Sequence, residues 1–162
     1  MKNLMLLVFC VMPFWAFGQD VDSVRVAGEV DSLVQVCRGL IRQGKFKDAF
    51  KAIEISTKVS ETVFGKESEL YAKCIINQGR VFQASGKATE AKQLYLNAIA
   101  LLAKINRTEQ IDYAGCLNNL SIILYDEGKF DEELTLLLEL KSLHEKGCFD
   151  KKHPLYNILL IL

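Results

Sequence analysis

The triplet Gly44-Lys45-Phe46 returns as Gly86-Lys87-Ala88 and again as Gly128-Lys129-Phe130, with the glycines 42 residues apart each time. Outward from these triplets, other residue types keep the same interval. Tyr71 and Tyr113 are 42 apart and Tyr156 follows 43 later, while Cys74 matches Cys116, Asn77 matches Asn119, and Ala49 matches Ala91. One period held by five kinds of residue marks an internal repeat, and a period of this length marks a stacked array.

Each unit reads as a helical hairpin. Apolar or small residues at helical spacing precede every glycine: Leu33, Val36, Cys37 and Leu40; Ile75, Gly79 and Phe82; Leu117, Leu120, Ser121 and Leu124. A second set follows: Phe46, Ala49, Phe50 and Ile53; Ala91, Leu94, Tyr95 and Ala98; Phe130, Leu134, Leu137 and Leu138. The repeat glycines Gly44, Gly86 and Gly128 suit the turn between them, because glycine takes the left-handed helix-end conformation without steric cost. Small residues share one slot of the first helices (Cys37, Gly79, Ser121) and one slot of the second (Ala49, Ala91), which lets paired helices approach closely. With two prolines, ten glycines and half the residues hydrophobic, the expected class is all-α.

A small residue, Gly-Lys-Phe seven residues later and then an alanine in the second helix together resemble the tetratricopeptide repeat. The 42-residue period, Leu117-Asn118-Asn119-Leu120-Ser121 and Tyr125-Asp126-Glu127-Gly128-Lys129-Phe130 are similar to the long variant found in kinesin light chains, and His153-Pro154 before Tyr156 is similar to that variant's entry into a next repeat. Two positions depart from the pattern: Glu133 replaces the alanine and Ala88 the aromatic. The resemblance implies a right-handed α-α superhelix of three hairpins plus a truncated fourth. The expected division is a signal peptide over 1–18, a lead-in over 19–28, repeats over 29–70, 71–112 and 113–154, and the start of a fourth over 155–162.

The leader reading rests on Met1-Lys2-Asn3, the apolar run from Leu4 to Val11 and the small-residue pattern Ala16-Phe17-Gly18. That run is too short to span a bilayer, so no membrane span is expected once the leader is cleaved. Twenty basic and twenty acidic side chains cancel, and losing Lys2 leaves −1. Such a balance argues against nucleic-acid binding, which needs an excess of Lys and Arg.

Candidate chemistry is sparse. Gly39 through Lys45 mimics a phosphate-binding loop, but Phe46 stands where Ser or Thr is required and the segment ends a helix. His144, Cys148 and His153 are spaced as a partial zinc set without a fourth group, so no metal, cofactor or catalytic residue is expected. Cys37, Cys74, Cys116 and Cys148 remain after leader cleavage and are expected as reduced, packed thiols, with Cys116–Cys148 the one pair that a hairpin would bring together.

The resemblance further implies that the first helices line a concave groove. Their face away from the core carries Val34, Arg38, Ile41 and Arg42; Ile76, Arg80 and Gln83; Asn118, Ile122, Tyr125 and Asp126. Arg38, Arg42, Arg80, Gln83, Asn118 and Tyr125 are the candidate peptide-binding residues. Arg38 and Arg80, 42 apart, would stack as a short basic ladder, which reads either as a site for an acidic or C-terminal peptide or as an ordinary solvated helix face. The carboxylate clamp of chaperone-binding relatives is not expected, since Val34, Arg38 and Gly115 occupy its places.

The function expected is an exported, non-catalytic scaffold for a protein or peptide partner. The competing expectation is the leading portion of a larger bacterial sensor kinase or caspase-like peptidase. The apolar stretch Tyr156-Asn157-Ile158-Leu159-Leu160-Ile161-Leu162 is expected to dock on the second helix of the third repeat, beside Leu134 and Leu138. Its other side would stay exposed, implying a longer array or self-association through 155–162.

Overall fold

The computed structural model describes the backbone over residues 15–160 and the side chains over 22–160. Most of the leader expected at 1–18, together with Ile161 and Leu162, lies outside the described residues. Seven α-helices follow one another among those described: α1 (Trp15–Arg42), α2 (Phe46–Phe64), α3 (Glu69–Ala84), α4 (Ala88–Lys104), α5 (Ile111–Asp126), α6 (Phe130–Glu145) and α7 (Tyr156–Leu159). The first is one unbroken helix of 28 residues that runs through the positions read as lead-in.

Gly44, Gly86 and Gly128 end α1, α3 and α5 with φ of 71°, 80° and 72°. At each turn the glycine N–H and the following lysine N–H reach back to close the helix end. Lys45 donates to the Leu40 carbonyl, Lys87 to that of Phe82 and Lys129 to that of Leu124, each at 2.9 Å. This paired closure satisfies carbonyls that a helix end leaves orphaned. The same three-residue signal therefore makes the same reversal three times.

α1 packs on α2, α3 on α4 and α5 on α6, and each hairpin then packs on the next through α2 with α3 and α4 with α5. The first helices also touch in sequence, α1 with α3 and α3 with α5, whereas α2, α4 and α6 make no close backbone contact with one another. Close first helices and splayed second helices put α1, α3 and α5 on the inner side of the stack.

In the middle hairpin the small slot at Gly79 faces Tyr95, sixteen positions later, a spacing that Cys37 with Ile53 and Ser121 with Leu137 share in the sequence. The approach is close, since a Cβ on Gly79 would stand 2.7 Å from Tyr95 Cε1. The largest ring thus sits over the position with no side chain.

Three expectations about faces are corrected. Val34 and Ile76, expected on the groove face, are 1% and 0% exposed. Each first helix is flanked by its own partner and by a neighbouring hairpin, so it buries a wider arc than a one-sided amphipathic helix. Val36, expected in the core, is 50% exposed. Its counterpart Leu120, two periods later, is buried because α5 packs on the hairpin before it, and no described hairpin precedes α1.

Candidate functional site

On the inner face, the expected arginine ladder is a single rung. Arg38 Nε donates to Asn77 Oδ1 at 2.9 Å, and Arg80 donates to the same oxygen at 3.3 Å. Asn77 is fully buried, and its Nδ2 donates to the Lys73 carbonyl at 2.7 Å, which fixes the carboxamide with its oxygen toward both arginines. The two guanidiniums are therefore part-buried and tied down, not free on a solvated face. Burial, then the neighbouring Arg80 charge, lowers the Arg38 pKa, while Asp112 acts in the opposite direction. Among the described residues neither Arg38, Arg42 nor Arg80 sits in an ion pair.

The register explains why the ladder stops. Asn77 lies between Arg38 of the preceding hairpin and Arg80 on its own helix. One period on, Asn119 has Ile122 in place of an arginine, and its Nδ2 is buried without a partner, as is Asn118 Oδ1. Gly115 leaves room for the Arg80 guanidinium, whose tip would lie 3.5 Å from a Cβ built there.

Two concavities meet at this rung. One, of about 430 Å³, is lined by Arg38, Ile41, Arg42, Arg80, Gln83 and Asn119. The other, of about 320 Å³, joins Arg38 and Arg80 to Asp112, Asn118, Asn119 and His153. Gln83 is oriented from behind, because its Oε1 accepts the Tyr95 hydroxyl at 2.8 Å. The candidates Arg38, Arg42, Arg80 and Gln83 thus gather in one place. Tyr125 does not join them. It lines a third, apolar cavity of about 500 Å³ with Ile122, Phe130, Glu133, Leu134, Leu137 and Ile158, and Asn118 stands between the two regions. Glu133, which replaces the small alanine of the pattern, lies in the wall of this apolar opening.

Asn77, Asp112 and Asn119 are site residues that the sequence did not single out for binding, and His153 was weighed only within a partial zinc set. The shared spacing of Asn77 and Asn119 was their one visible signal. Charge counting over the two concavities gives Arg38, Arg42 and Arg80 against Asp112, a local excess of two positive charges that suits a carboxylate-bearing group. The unpartnered amide atoms add one donor and one acceptor beside it.

His144 is committed elsewhere. Its Nδ1–H donates to the Phe149 carbonyl at 2.8 Å, and its ring packs on Phe149 and Tyr156 with centroids 5.2 and 4.8 Å away. This cluster docks the segment after α6, with Leu155 buried in the core. The segment docks on α6, the second helix of the third hairpin, as expected, but Leu134 and Leu138 stay 47% and 54% exposed, and the ring contact it makes is with His144 in the last turn of α6. No group of three metal-ligating side chains occurs among the described residues. Among the described residues Cys37, Cys74, Cys116 and Cys148 are free thiols, and burial raises Cys37 to about 11 and Cys74 and Cys116 to about 12.

Residues 114–148 match the family model described as Tetratricopeptide repeat. Among solved structures, the nearly identical kinesin light chain TPR-like repeats of Podosopora anserina align with a TM-score of 0.68 at 20% identity, covering 79% of this chain and 60% of that one. BtubC (BKLC) of P. vanneervenii aligns with a TM-score of 0.65 at 18% identity, covering 75% of this chain and 49% of that one. No curated protein matches the sequence. The fold is that of a tetratricopeptide repeat protein, its paired hairpins stacked as in that class. Within the class it is structurally similar to the TPR-like repeats of kinesin light chain. The chain spans 60% and 49% of the lengths of these structures.

Proposed function

We propose that this chain is a non-catalytic scaffold that binds another protein or peptide along the face formed by α1, α3 and α5, holding an acidic group of its partner at Arg38 and Arg80. Tetratricopeptide repeats are in general protein-interaction modules, and this class supports the coarse reading. The observation that carries the finer one is the convergence of two guanidiniums on the buried Asn77 oxygen. A guanidinium has five donor hydrogens, and one shared acceptor leaves most of them available toward the two cavities. Orienting both groups in advance removes part of the ordering cost of binding.

Capture of partner from an extract of the source cells tests the proposal. The full chain should retain a partner that the Arg38→Gln/Arg80→Gln double variant loses while keeping its helical circular dichroism. Retention by the double variant sinks the role of the rung. Glutamine is preferred to glutamate here, since a carboxylate beside Asp112 would disturb the fold as well as the ligand. Export belongs to the same proposal and rests on residues 1–18. Fractionating cells that express the chain with a C-terminal tag should place it outside the cytoplasm with its leader removed, and an uncleaved cytoplasmic product would overturn export.

A further inference from the structure

The exposed face of α6 carries a pattern that is complementary to itself under a two-fold rotation. Phe130, Leu134 and Leu138 are 60%, 47% and 54% exposed, and their spacing of four puts them on one stripe. Acidic side chains open the helix, with Asp131, Glu132 and Glu133 in its first turn, and Lys141 stands exposed three residues beyond Leu138. Among the described residues neither Asp131 nor Lys141 is in an ion pair.

From these we infer that α6 is a self-association surface whose occupant is α6 of a second copy, packed antiparallel. In an antiparallel pair, residues whose numbers add to a constant lie at the same level. An axis between Leu134 and Leu138 sets Leu134 against Leu138 of the second copy, and Leu138 against its Leu134. The same axis sets Asp131 against Lys141 of the second copy, and Lys141 against its Asp131. The two ion pairs flank the leucines, separated along the helix by about 15 Å at the usual rise per residue. A parallel pair would instead stack Asp131 on Asp131 and Lys141 on Lys141. An unrelated partner helix would have to supply both the leucine spacing and the inverse charge order, whereas a second copy has them already. An isologous contact of this kind is self-complementary and closes on itself as a dimer. This surface is distinct from the one expected at 155–162, where Leu155 and the base of α7 are occupied by docking within the chain. A single helix pair buries less than the roughly 1,200 Å² of a standard interface, so the dimer is weak and dissociates on dilution.

Sedimentation of the full chain over a dilution series, with variants, decides the matter. The parent should show a reversible monomer–dimer equilibrium. Asp131→Lys alone, or Lys141→Asp alone, turns both attractive contacts repulsive and should weaken dimerisation about ten-fold. The double variant Asp131→Lys/Lys141→Asp restores opposite charges at both levels and should return to the parent's dimerisation. Leu138→Glu should abolish it, and Arg38→Gln/Arg80→Gln should leave it unchanged, which separates this surface from the ligand site. A parent that is monomeric throughout overturns the inference and leaves the face to another occupant. A double variant no better than the singles overturns the antiparallel pairing. Circular dichroism of each variant confirms that the fold survives.

Discussion

Gly79 and Asn77 show how much a single side chain decides in a repeated fold. Placing a methyl group on Gly79 drives it into the Tyr95 ring, 2.7 Å from Cε1. Gly79→Ala should therefore cost about 1–3 kcal/mol of unfolding free energy, the usual range for overpacking a dense core. Adding Tyr95→Leu should recover part of that loss, because it removes the ring that the added methyl group meets. Urea midpoints of the two variants measure both steps. Asn77 and Asn119 make a second comparison. Asn77→Ala removes an acceptor shared by two part-buried arginines and should cost about 1–3 kcal/mol. Asn119→Ala removes an amide whose Nδ2 has no partner and should cost distinctly less in the same urea series. The sequence placed both asparagines in one class by spacing, yet it could not separate them. Their difference lies in what stands one turn on, Arg80 in one case and Ile122 in the other, and in Arg80, the preceding hairpin's arginine for Asn119, being bonded to Asn77 instead.

At the level of elements, the turns were the most legible feature and the buried arcs the least. A Gly-Lys pair after a helical stripe needs a left-handed residue at one position, and the backbone delivers it three times. Gly128→Ala isolates that requirement, because no atom lies within 4 Å of the added Cβ and the conformation alone resists it. The substitution should cost about 1–2 kcal/mol, read as a lower urea midpoint with unchanged slope. The burial of Val34 and Ile76 escaped the sequence for a different reason. Helical periodicity identifies one apolar face, whereas a helix in a stack is covered from two directions. The same geometry hid the apolar opening beside Ile122 and Leu137, where the departure at Glu133 was the visible trace. The candidate binding residues were chosen as one groove, but the structure divides them because Arg38 and Arg80 share an anchor that Asn118 and Tyr125 lack.

For the molecule as a whole, the ion pairs repeat with the fold. Lys104 with Glu67 and Lys146 with Glu109 are the same contact one period apart, at 2.5 and 3.1 Å. Both are well exposed, so they align the hairpins more than they stabilise them. Buried thiols give a stronger whole-chain prediction. Their ordinary pKa is near 9, and burial raises Cys74 and Cys116 to about 12 and Cys37 to about 11. The folded state therefore holds protons that the unfolded state loses above about pH 9. The stability contributed is fully present below that pH and is lost progressively as pH rises toward 11–12, the folded-state range for these thiols. Urea midpoints should fall between about pH 8 and about pH 10.5, and fall less in Cys116→Val, which has no proton to lose.

The three buried thiols have one further consequence. Cys37, Cys74 and Cys116 belong to α1, α3 and α5, one to each hairpin, and none meets solvent in the folded chain. An alkylating reagent can reach each of them only after its own hairpin has opened. Mass spectrometry of the modified peptides would then time the opening of each unit separately. Equal labelling rates describe an array that unfolds in one cooperative step, while a graded order reveals from which end it unravels. The protein carries its own clock, with one hand in every repeat.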